Sequence, residues 1–90
     1  MNLTDKVSIP AQVMARQVGT ETVLLDLASG TYFGLDPVGA RIWELMGEDK
    51  TLAQVCDTMQ EEFEVTREDI ERDVLDLMEQ LQAKQLISVV

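Results

Sequence analysis

The chain has 90 residues, 46% hydrophobic but with only four aromatics, and carries 17 acids against 7 bases for a net charge of −10. That length holds one domain with a single aliphatic core, about 60% of the unfolded surface being buried at this size, and it leaves no deep cavity enclosed between two layers. The charge repels phosphate backbones and anionic lipid, which disfavours nucleic acid and membrane as partners, and the absence of histidine beside a lone cysteine excludes zinc sites, Cys–His or Ser–His nucleophiles and an internal disulfide.

Residues 1–10 are polar and end at Pro10. They read as a loose N-terminal segment, with Val7 and Ile9 packing at its end. Residues 11–18 alternate weakly, Val13, Ala15 and Gln17 against Met14, Arg16 and Val18, which predicts a first strand. Gly19-Thr20-Glu21 is a turn. Thr22 to Leu27 predicts a second strand, with Val23, Leu25 and Leu27 on one face and Leu24 and Asp26 on the other. Ser29-Gly30 is the next turn, because glycine takes the positive φ that a short hairpin loop needs. Thr31 to Leu35 then forms a third strand with Phe33 and Leu35 in phase. Three strands on short turns make an antiparallel meander, and its third strand is an edge unless something later covers it.

Asp36-Pro37 opens the first helix, with Asp as N-cap and Pro at N1, where its missing N–H costs nothing. Val38, Ile42, Leu45 and Met46 keep helical spacing, and Gly47 ends the helix. Thr51 with Gln54 predicts a capping box for the second helix, whose stripe is Leu52, Val55, Cys56, Met59 and Phe63. Thr66 with Asp69 caps the third, Val65 and Ile70 are placed for a hydrophobic staple, and Ile70, Val74, Leu77, Met78 and Leu81 form its stripe. Leu86 to Val90 is an apolar, β-prone tail that packs or adds a small strand. The fold class is therefore α+β: a three-stranded antiparallel sheet followed by three helices, packed on one sheet face as in winged-helix assemblies.

Two features bear on function. With Ile70 at 0° and about 100° per residue, the third-helix stripe centres near 20°, while Met78 lies at about 80° and Leu75 at about 140° on the same flank. Leu75, with Glu71 and Arg72, is placed to form one wall of a groove. The second feature is the strand Thr31 to Leu35, whose unpaired backbone groups are suited to accept a peptide as a fourth strand. Nothing points to catalysis. The third-helix carboxylates sit on a regular solvated face, Ser29 has no base, the glycines lack a phosphate-cradling spacing, and Cys56 falls in an apolar stripe as a core thiol. No catalytic residue, metal or cofactor is expected. The N-terminus lacks a signal pattern and no apolar run approaches a membrane span, so the expected location is the cytoplasm.

Val23-Leu24-Leu25-Asp26-Leu27 followed by Ser29-Gly30-Thr31-Tyr32-Phe33-Gly34-Leu35-Asp36 and Val38-Gly39-Ala40-Arg41-Ile42-Trp43-Glu44-Leu45-Met46 resembles the PqqD-like family. Thr51-Leu52, Glu61-Glu62-Phe63 and the run from Asp73-Val74 to Leu86 complete the resemblance, over roughly residues 11–88. The family comprises recognition elements for the leaders of ribosomally made, modified peptides. The hairpin and the Gly-Ala-x-Ile-Trp helix are most similar to the stand-alone proteins of lasso-peptide clusters; PqqD proper, a peptide chaperone of pyrroloquinoline quinone biosynthesis, usually departs from this hairpin and is the alternative. The resemblance implies a non-catalytic protein that binds a precursor leader antiparallel to the third strand, in a groove between that strand and the third helix. It implicates Thr31, Tyr32, Phe33, Gly34 and Leu35; Glu71, Arg72, Leu75 and Met78 are added from helix geometry. The implied enzyme partner is a leader peptidase of the transglutaminase-like cysteine-protease type, or another enzyme that modifies such precursors.

Two rival classes fit less well. A winged-helix DNA-binding regulator needs a basic recognition helix, and residues 66–84 carry three bases against six acids. An acyl-carrier protein needs a serine at a helix start, where this chain has Asp36-Pro37-Val38.

Overall fold

Gly19 and Gly30 both adopt positive φ, 63° and 77°, and they make the two turns of a meander. The computed structural model describes residues 1–90, in the order β1 (Val7–Ser8), β2 (Val13–Val18), β3 (Glu21–Asp26), β4 (Tyr32–Leu35), α1 (Pro37–Met46), α2 (Leu52–Glu62), α3 (Arg67–Ala83) and β5 (Ser88–Val89). One sheet has the order β2-β3-β4, antiparallel throughout, and β1 pairs with β5 in a separate two-stranded sheet. The architecture is the expected three-stranded sheet followed by three helices.

The hairpin joining β3 to β4 has a five-residue connection, Leu27–Thr31, rather than a two-residue turn. Its closure depends on Asp26. The Asp26 carboxylate is buried, and its Oδ1 accepts the amides of Ala28 at 2.8 Å and Ser29 at 3.3 Å. A short acidic side chain that caps its own turn in this way satisfies a carboxylate that burial would otherwise penalise. The Asp26 N–H donates to the Thr31 carbonyl at 2.8 Å, so β4 itself starts at Tyr32.

The side of the sheet that meets the helices is the one carrying Val13, Leu24, Asp26, Phe33 and Leu35. Val23, Leu25 and Leu27, the more hydrophobic face by sequence, look away from the core, and Leu27 is 60% exposed. Helix α1 packs across β3 and β4 and against α2, and α2 packs against α3. Leu24, Ile42, Leu45, Leu52, Met59, Val74 and Met78 are among the fully buried side chains between them.

The helix ends follow the local signals. The Gly39 N–H donates to Asp36 Oδ1 at 2.7 Å, both halves of the Thr51–Gln54 capping box form, and the Asp69 N–H donates to Thr66 Oγ1 at 3.1 Å. These bonds satisfy amides that have no partner inside their helices. Two arginines tie the helices together. Arg41 of α1 holds Glu62 of α2 bidentately at 2.8 and 2.7 Å. Arg67 of α3 bonds Glu71, Asp57 of α2 and the Ala53 carbonyl.

Residues 1–10 are not a loose lead-in. The carbonyls of Leu3 and Asp5 accept the amides of Ala53 and Leu52 at 2.8 and 2.9 Å, which caps the start of α2. Val7 is buried, and β1 pairs Val7 with Val89 and Ser8 with Ser88. The tail expected over Leu86–Val90 is thus the partner of the N-terminal segment. Gln85 makes this possible with a φ of 59°, reversing the chain so that the Leu86 N–H donates to the Leu81 carbonyl at 2.9 Å.

Candidate functional site: the groove beside β4

In an antiparallel pair, residues alternate between exchanging hydrogen bonds with the neighbouring strand and pointing those groups the other way. Two bonds set the phase here. The Asp26 N–H reaches Thr31 on β4's side, and the Leu27 N–H reaches Gln12 on β2's side at 2.9 Å. Leu24, in phase with Asp26, therefore bonds to Phe33, its register partner. The backbone groups of Phe33 and Leu35 are turned inward to β3, as is the Thr31 carbonyl, while the Thr31 N–H donates to Ser29 Oγ at 3.2 Å. Those of Tyr32 and Gly34 are turned outward, and no strand lies beyond β4 to receive them.

Alongside this edge runs a groove of about 280 Å³, lined by Phe33 and Leu35 of β4, Val38 and Ile42 of α1, and Asp73 and Leu77 of α3. Its volume is below the roughly 300–1,000 Å³ of small-molecule clefts, and its shape is set by three elements rather than one. Gly39 lets α1 approach β4 closely: a Cβ there would stand 3.3 Å from both Asp36 Oδ1 and Leu35 Cδ2. Asp36 ends the strand and starts the helix in the same residue, which keeps the edge short.

The structure brings the β4 residues of the expected site into one place. Phe33 and Leu35 face the groove, Gly34 contributes backbone, and Tyr32 projects to the opposite face at 72% exposure. Thr31 lies at the loop end of the strand, its hydroxyl bonded to Ser29.

None of the expected helical residues lines this groove. Met78 is fully buried in the core. Glu71 is bonded to Arg67, which in turn reaches α2, so the flank carrying Glu71 and Leu75 is turned toward α2. Leu75 is half-buried against the core there. Arg72 is exposed and paired with Asp69 at 3.1 Å. The groove wall is instead Asp73 and Leu77, at about −60° and −20° on the same wheel, the other flank of the buried stripe. Val38 and Ile42 of α1, which helical spacing assigns to the core stripe, also line the groove, and Val38 is 39% exposed there. Helical periodicity marks both flanks of a stripe and does not say which one a later packing turns toward the sheet.

Burial pushes the Cys56 thiol up and keeps it in the core as a protonated apolar group. No three His, Cys, Asp or Glu side chains gather in a way that would hold a metal ion. No helix is long and apolar enough to cross a membrane.

Residues 21–87 match the family model described as Coenzyme PQQ synthesis protein D (PqqD). Among solved structures, the chain is similar to one described as TbiB1 in complex with the TbiA(beta) leader peptide. The two are 41% identical, the match covers 90% of this chain and 94% of that one, and the TM-score is 0.82. It is also similar to a lasso peptide synthetase B1 complexed with the leader peptide, at 28% identity, covering 92% of this chain and 98% of that one, with a TM-score of 0.83. No curated protein matches.

Proposed function

The chain belongs to the PqqD family, and on that premise we propose that it is a recognition protein that binds the leader of a ribosomally made precursor peptide. The observation that carries this reading is the open edge of β4 lying beside an apolar groove. A leader laid antiparallel to β4 takes its register from the outward N–H and C=O groups of Tyr32 and Gly34. Every second leader side chain then enters the groove among Phe33, Leu77, Val38 and Ile42. The similarity to two proteins held with leader peptides, one of them a lasso peptide synthetase B1, supports a lasso precursor over one of quinone-cofactor biosynthesis.

The protein performs no chemistry in this reading. It orders a flexible leader, which lowers affinity per area of contact, and it raises the effective concentration of the precursor at a processing enzyme. That enzyme is a leader peptidase of the transglutaminase-like cysteine-protease type.

The test is a titration of a fluorescently labelled leader from the same biosynthetic cluster, with the recognition protein alone. A saturable rise in anisotropy at micromolar protein is the expected result. A flat titration overturns the reading.

A further inference from the structure

The sheet has a second face that the groove does not use. Met14, Arg16 and Val18 of β2, Val23 and Leu25 of β3, and Tyr32 of β4 all point away from the helices. Met14 is 50% and Val18 57% exposed, and together with Arg16, Val23 and Leu25 they line a shallow apolar recess. At Gly34, which also faces this side, a Cβ would meet nothing within 4 Å, so the surface stays open opposite Val23. Three strands of exposed apolar side chains in register form a continuous patch, which a monomer rarely carries without using it.

The charges on this face are unlike those of the rest of the chain. Glu21 is its one acid, in a protein with 17. Five of the seven basic side chains (Lys6, Arg41, Lys50, Arg67 and Arg72) are engaged in ion pairs, whereas Arg16 is in none. An unpaired arginine among Met, Tyr and aliphatic side chains is the composition of an interface core. A second copy is a poor occupant, because it brings another net charge of −10 and offers Arg16 only a Glu21 at the end of the face. A different protein, apolar and with a carboxylate against Arg16, is complementary. The face is also continuous with the leader site. A peptide added to β4 extends the sheet, and the alternate side chains that do not enter the groove stand on this side next to Tyr32.

We propose that the outer face of the sheet, centred on Met14, Arg16, Val23 and Leu25, is the surface that docks on the processing peptidase, through an apolar patch bearing a carboxylate opposite Arg16. The inference rests on the leader-binding reading. It gives the protein two separate faces, one for the substrate and one for the enzyme.

The test measures the affinity of the leader peptidase from the same cluster for the wild-type chain and for Arg16→Glu and Met14→Glu, with leader anisotropy measured in parallel. Both substitutions are on the exposed side of β2, away from the groove. Each is expected to weaken peptidase binding about tenfold or more, with leader affinity unchanged. Leu77→Glu is expected to do the reverse. Peptidase binding unaltered by both β2 substitutions overturns the proposal, as does loss of leader binding in step with peptidase binding. Sedimentation that shows a wild-type dimer dissolved by the same substitutions assigns the face to a second copy and overturns it too. A wild-type chain that binds peptidase but no leader leaves this face assigned and sinks the leader-binding reading instead.

Discussion

Leu24 and Phe33 face each other as a hydrogen-bonded pair, so the Phe33 amide points into the sheet and the amides of Tyr32 and Gly34 point out of it. The parity decides which backbone groups a docking strand can reach, and it makes proline a directional probe.

Gly34→Pro removes an outward N–H on an edge strand, where proline is tolerated. Leader affinity is expected to fall roughly tenfold, the loss of about one hydrogen bond with some steric obstruction, while circular dichroism stays that of the wild type. Phe33→Pro removes the bond to Leu24 and a side chain that lines the groove, and is expected to lower the thermal midpoint as well as leader affinity. An equal loss of stability in the two variants would contradict the assigned parity.

Leu77 and Leu75 lie on opposite flanks of α3. Leu77→Ala is expected to weaken leader binding, because Leu77 lines the groove with Phe33. Leu75→Ala is expected to leave leader binding unchanged and to cost about 1–2 kcal/mol of stability, a part-buried aliphatic side chain being removed from the α2 side. Leader anisotropy and urea midpoints on the two variants separate these effects.

The hydrogen bonds from Arg41 hold the Glu62 carboxyl below its usual range. A carboxylate depressed in the folded state stabilises above its unfolded pKa, and the contribution is lost as pH falls through the folded pKa. Glu62→Gln is therefore expected to lower the urea midpoint near neutral pH, with the difference from wild type shrinking in acid below the carboxylate range. The pair is surface-exposed, so added salt reduces the difference as well.

Gln85 pays for a left-handed conformation just past the end of α3, where glycine carries no Cβ penalty. Gln85→Gly is expected to stabilise the protein by about 1 kcal/mol, or about 4–8 °C in thermal midpoint for a domain of this size. Leader affinity should not change, since Gln85 does not line the groove. A destabilised variant would show that the Gln85 side chain contributes more than its backbone costs.

Local signals in the sequence determined most of the elements. Asp36-Pro37, Thr51 with Gln54 and Thr66 with Asp69 each act within one helical turn, and the structure places all three caps as read. The meander and its edge strand were equally legible, because short glycine turns leave adjacent strands no other pairing. Three matters were decided only by the tertiary structure. One is the face of the sheet that meets the helices: period-two alternation separates Val23, Leu25 and Leu27 from Leu24 and Asp26, but it was the Asp26 turn and the packing of α1 that sent the latter pair inward. Another is the anchoring of residues 1–10, which depends on α2 and β5, more than forty residues away in the chain. The third is the flank of α3 that lines the groove. A helical wheel is symmetric about its buried stripe, and the Arg67–Glu71 link toward α2 broke that symmetry, leaving Asp73 and Leu77 beside β4.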